Sequence, residues 1–119
     1  MFKLLAAIIA VFVIAGVAQA ALPGKRVGKA GTATGEVAIA TAQATVLKPK
    51  AIYGHAVGKI DTVTFIYSCS RGFNVAAKSL DRSRAGLWRL PIMLRADRCM
   101  VTGSAGGSGR ILVEIRAVR

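Results

Sequence analysis

The chain has 119 residues, enough for one domain, with 17 Lys and Arg against 5 Asp and Glu, one His and two Cys. A four-ligand zinc site cannot be built from one His and two Cys without carboxylates, and five acidic residues leave few acid–base pairs to place. Length and patterning also exclude a multi-span membrane protein and a cofactor-binding α/β enzyme, since much of the 54% hydrophobic content falls in the first 22 residues.

In chain order, Met1-Phe2-Lys3 is a short basic start, Leu4–Ala18 is an uncharged apolar run, and Ala18-Gln19-Ala20 offers small residues for cleavage. This layout predicts a secretory signal peptide over residues 1–20, cut after Ala20. The alternative is an uncleaved anchor, because the run approaches the roughly 18 residues of a spanning helix and Lys25, Arg26 and Lys29 follow it. The clean Ala-x-Ala site and the helix-breaking Leu22-Pro23-Gly24 favour cleavage, with no membrane span afterwards. No Cys lies near the cut, which argues against a bacterial lipid anchor. The expected location is periplasmic or extracellular.

Cleavage leaves 99 residues carrying 16 basic and 5 acidic side chains. In an oxidising compartment Cys69 and Cys99 are expected to form a disulfide, the alternative being two buried thiols. Closing a loop of that length stabilises a chain by about 3–4 kcal/mol in the chain-entropy picture.

Residues 21–35 combine glycines, Pro23 and three basic side chains without periodicity, and read as a flexible basic arm before a β-domain over 36–119. Between Glu36 and Leu47, Val37, Ile39, Thr41, Gln43 and Thr45 alternate with Ala38, Ala40, Ala42, Ala44 and Val46. Alanine also suits a helix, but the β-branched residues and the Lys48-Pro49-Lys50 stop favour a strand. In Ile60–Ser70, Val63, Phe65, Tyr67 and Cys69 share one face, which places Cys69 on the core side. Arg71-Gly72 predicts a turn, and Phe73–Ala77 a returning strand. Leu80–Gly86 reads as a polar loop. Trp88, Leu90, Ile92 and Leu94 alternate with Arg89, Pro91, Met93 and Arg95, and Pro91 points to a sheet edge. A short strand holds Cys99 and Val101, Gly103–Gly109 reads as a flexible loop, and a last strand alternates Ile111, Val113, Ile115 and Ala117 with Arg110, Leu112, Glu114 and Arg116. Six or seven short strands with regular turns predict an all-β domain, a small sandwich or barrel with one disulfide.

Catalytic signals are weak. His55, in the loop-like Tyr53-Gly54-His55-Ala56, has no spacing to a nucleophile or an orienting carboxylate, and no G-x-S-x-G elbow exists. The glycine loop 103–109 could present amides to an anion, but a mobile connection is the better reading. The chain is therefore expected to be no enzyme, with no metal and no cofactor. Basic residues dominate instead. Arg89, Arg95, Arg110 and Arg116 fall on the outward phase of expected strands and form a candidate anion-binding set. The competing reading is that these charges only keep a small secreted β-protein soluble. Specific nucleic-acid recognition is not expected, because Phe65, Tyr67, Phe73 and Trp88 sit in core phase rather than on a stacking surface.

The segment Val63-Thr64-Phe65-Ile66-Tyr67-Ser68-Cys69-Ser70-Arg71-Gly72-Phe73-Asn74-Val75-Ala76-Ala77, followed by Leu90-Pro91-Ile92-Met93-Leu94, resembles the middle of secreted fimbrial and spore-coat-U-like subunits of Gram-negative bacteria. The alternating segment 36–47 is similar to their first strand. This resemblance implies an immunoglobulin-like sandwich with a structural or adhesive role and no active site.

Two functions are expected on this basis. The first is a secreted structural or adhesion-type module of the bacterial envelope, self-associating by strand pairing. The alternative is a cationic protein binding anionic envelope polymers (polysaccharide, lipid A phosphates or extracellular DNA) through an arginine-rich sheet face. A third reading, an inhibitor of an envelope-attacking enzyme, is disfavoured because lysozyme-type targets are themselves basic.

Overall fold

The computed structural model describes residues 22–119. The expected signal peptide, residues 1–20, lies outside the described residues. Five strands make one antiparallel sheet: β1 (Lys25–Leu47), β2 (Ala51–Arg71), β3 (Asn74–Arg82), β4 (Gly86–Leu90) and β5 (Arg98–Val118). Their order is β1-β5-β2-β3, with β4 also on β2. The described residues are all-β, in keeping with their alternating pattern, and carry one disulfide, Cys69–Cys99.

The three long strands bend rather than break. Register shifts lie between Val27 and Gly31 and between Gly35 and Ala38 in β1, and between Val57 and Lys59 and between Ile60 and Thr62 in β2. Bulges of this kind sharpen twist and turn a strand's direction. They fold the sheet over on itself into two layers. One layer holds the first halves of β1 and β2, the second half of β5, and β4. The other holds the second halves of β1 and β2, the first half of β5, and β3. The fold-back is direct in β2, where a Cβ added to Gly54 would lie 2.4 Å from Cε2 of Phe65 in the facing layer. In β1 a Cβ on Gly31 would lie 2.0 Å from the carbonyl oxygen of Thr41.

Between the layers, Ile52, Ala56, Leu90, Ile111, Val113 and Ile115 meet Val46, Val63, Phe65, Tyr67, Val101 and Ala105, all buried. Phe65 is 0% exposed, and its ring tilts against Trp88 at a centroid distance of 6.5 Å. Along β1 the spacing is narrower, filled by Ala38, Ala40 and Ala42. Cys69 and Cys99 face each other in register on the inner side, with Cα atoms 4.1 Å apart and the disulfide formed. The bridge joins neighbouring strands within one layer.

Several sequence expectations are corrected. Residues 25–35, expected as part of a flexible arm, are the first half of β1, because the glycines there serve close approach and bulging rather than freedom. The expected six or seven short strands are five, three of them 21–23 residues long. Gly103–Gly109 is no loop but the middle of β5: a Cβ on Gly103 would meet Phe65 and one on Gly107 the carbonyl of Lys59. His55 lies in β2 rather than in a loop. The strand expected through Leu94 stops at Leu90, where Pro91 can donate no ladder hydrogen bond. Phe73 sits in the two-residue turn between Arg71 and Asn74, fully exposed instead of in the core.

Because the layers fold about the bulges, the connections 48–50, 72–73 and 91–97 gather at one end of the molecule. Backbone bonds tie them together: Lys48 N donates to Asp97 O (2.9 Å), Lys50 N to Val118 O (2.7 Å) and Asp97 N to Ser70 O (2.7 Å). The bulges and the β3–β4 turn lie at the opposite end.

Candidate anion-binding groove

The connection 91–97 leaves β4 at Pro91 and returns to β5 at Arg98, crossing from one layer to the other. Between it and the 48–50 connection lies a groove of about 810 Å³. Its wall is apolar, from Leu90, Pro91, Ile92, Met93, Leu94 and Ala96, and its polar residues are Lys48, Lys50, Arg89, Arg95 and Asp97. The single acid is already engaged, since Asp97 Oδ2 accepts a hydrogen bond from Gly72 N at 2.8 Å. Four cations therefore border the groove against one carboxylate, a local excess of positive charge.

Two of these cations hold unusual backbone. Lys48 (φ 47°) and Arg95 (φ 56°) are the non-glycine residues with positive φ among the described residues. Left-handed backbone costs an L-residue roughly 1–2 kcal/mol, and such positions concentrate at functional sites. Here both belong to one groove.

Arg89 also joins a second basic arrangement. On the outer face of its layer, Arg26, Arg116, Tyr53 and Arg89 form one cross-strand row over β1, β5, β2 and β4. Beside that row Glu114 is 2% exposed, on the outer face of β5. Its carboxylate receives Arg26 Nε at 2.5 Å and Arg116 Nη1 at 3.1 Å, and lies 2.9 Å from His55 Nδ1. Burial alone raises the pKa of Glu114, but the hydrogen bonds to His55, Arg26 and Arg116, with the charge of Arg26, outweigh it and leave the pKa lowered. Arg116 further donates to the carbonyls of Pro23 and Gly24, both at 2.9 Å. This network clamps three strands and the start of the described chain.

The four arginines singled out from sequence thus separate. Arg89 and Arg95 border the groove, Arg116 is committed to Glu114, and Arg110 pairs with Thr34 near the bulges, at the far end. Sequence reasoning missed Lys48 and Lys50, read only as a strand stop, although two lysines flanking a proline at a chain reversal were a usable signal. It also missed the carboxylate partner of His55, since only the β2–β5 register pairs His55 with Glu114. No nucleophilic Ser or Cys shares that pair's row, whose remaining member is Leu87. Among the described residues no three His, Cys, Asp or Glu side chains gather as metal ligands, and no helix is long and apolar enough to cross a membrane.

No family model matches the sequence, and the comparison with curated proteins found no match. Several solved structures are similar at low identity. PirA is 13% identical with a TM-score of 0.47, over 82% of this chain and 99% of that one. TmCBM61, solved in complex with β-1,4-galactotriose, is 15% identical with a TM-score of 0.43, over 73% of this chain and 67% of that one. The enzymatically active domain of bacteriophage CBA120 tailspike protein 4 is 15% identical with a TM-score of 0.42, over 81% of this chain but only 18% of that one.

Proposed function

We propose that this chain is an exported, non-catalytic binding module of the bacterial envelope, which takes anionic groups of envelope polymers in the groove between the 48–50 and 91–97 connections. The observation that carries this reading is the set of four cations, Lys48, Lys50, Arg89 and Arg95, set against the single acid Asp97 around one groove. Cations held on folded turns are partly ordered before a ligand arrives, which reduces the entropy lost on binding. Arginine forks and lysine ammonium groups suit phosphate, sulfate and carboxylate alike. The test is retention on heparin. Replacing all four by glutamine is expected to shift elution to much lower salt, whereas replacing Arg82, Arg84 and Arg110 at the far end shifts it little. Equal shifts for the two triple- and quadruple-substituted proteins, scaled by charge, would refute a defined site.

The second reading, self-association by strand pairing, is favoured by the sheet order, which among the described residues leaves one edge of β1 and one edge of β3 without a strand neighbour. It expects concentration-dependent oligomers in sedimentation; a monomer at all concentrations removes it.

A further inference from the structure

The end of the molecule that carries the groove also carries two strongly exposed apolar side chains at the tips of its connections. Phe73, at the tip of the β2–β3 turn, is 106% exposed, and Leu94, at the tip of the 91–97 connection, is 80% exposed. Gly72 has no atom within 4 Å of a Cβ built on it, so that side of the β2–β3 turn faces open space. Asp97 holds the two tips side by side, accepting from Gly72 N and donating its own N–H to Ser70 O. Leu47 and Val75, also exposed, occupy the strand ends at this end of the molecule, paired with Arg98 and Ser70. Around this apolar tip lie Arg71 and Arg98, exposed, together with the groove cations. The only acid among them is the engaged Asp97. Glu36 and Asp61 sit by the bulges, and Asp81 pairs with Thr64 on the side of the molecule away from the tips.

Two apolar tips projecting through a ring of cations fit an anionic lipid surface: the rings and alkyl groups enter the acyl region while the cations remain among the headgroups. A soluble polymer in the groove would use the cations and the apolar wall but gives Phe73, outside the groove, nothing to bury against. We infer that this end of the molecule docks on the surface of an anionic bilayer, with Phe73 and Leu94 inserted. This surface adjoins the groove's polymer site and shares Leu94 and the outer cations with it, while Phe73 lies outside the groove.

The test is co-sedimentation of the purified protein with phosphatidylglycerol–phosphatidylcholine vesicles, compared with phosphatidylcholine alone. Phe73→Ser with Leu94→Ser is expected to weaken binding to the anionic vesicles by about a hundredfold, the value of losing two apolar insertions. Phe73→Ser alone, which leaves the groove wall intact, is expected to weaken vesicle binding by about tenfold while retention on heparin stays unchanged. Val37→Ser with Ile39→Ser, another exposed apolar pair, on β1 and away from this end, leaves vesicle binding as it is. Thermal melting of these variants confirms that the exposed positions do not alter folding. Vesicle binding that is absent in the unsubstituted protein, or unaffected by the Phe73 and Leu94 changes, would overturn the inference. Loss of heparin retention in the glutamine variant alone bears on the groove and not on this surface.

Discussion

Glu114 sets three basic side chains from three strands around one carboxylate on a sheet face that alternation alone would leave to solvent. Its stabilising contribution follows from its lowered pKa. It is complete above the ordinary carboxyl value of 4.5 and is lost as pH falls through the depressed folded value. Urea midpoints are therefore expected to fall on acidification below that value. Glu114→Gln should lower stability at neutral pH by about 2–3 kcal/mol, less than a fully buried pair because Arg26 is half-exposed. The same variant should lose part of the acid-side decline, since the group responsible is gone. An unchanged pH profile would show that the carboxylate gains nothing from its partners. Glu114 also explains why His55 is legible only in three dimensions: the two residues are 59 apart in sequence and meet through strand register.

At the scale of the strands, alternation was a sound guide and glycine was not. The inward sets Val63-Phe65-Tyr67-Cys69 and Ile111-Val113-Ile115-Ala117 are buried as period two requires, and Cys69 meets Cys99 on that face. Glycines at 28, 31, 103 and 107 were read as breakers, but they mark places where another backbone or a ring comes too close for a Cβ. That information lies in the partner, not in the local sequence, so the strand lengths and the folded-over sheet could not be read from the chain. Gly54→Ala tests the point. Its new Cβ would collide with the Phe65 ring, itself pressed from the other side by Gly103, and is expected to cost about 2–3 kcal/mol in denaturant unfolding. Adding Phe65→Leu should recover part of the loss. A neutral Gly54→Ala would mean that the two halves of β2 do not face each other.

Over the whole molecule, the excess of positive charge is unevenly spread. Folding the layers about the bulges brings three connections to one end, and with them Lys48, Lys50, Arg89 and Arg95. Composition revealed the charge, but phase along a strand could not reveal which end each residue occupies. That is why Arg89 and Arg95 come together while Arg110 is carried to the far end, and why Arg116 is absorbed by Glu114. The direct measurement of the groove's role is an amide chemical-shift titration of the folded protein with a heparin-derived oligosaccharide. Shifts concentrated at residues 48–50 and 89–97 are the predicted result. Shifts spread evenly over the basic residues, or centred on Arg82, Arg84 and Arg110, would contradict a defined anion-binding groove.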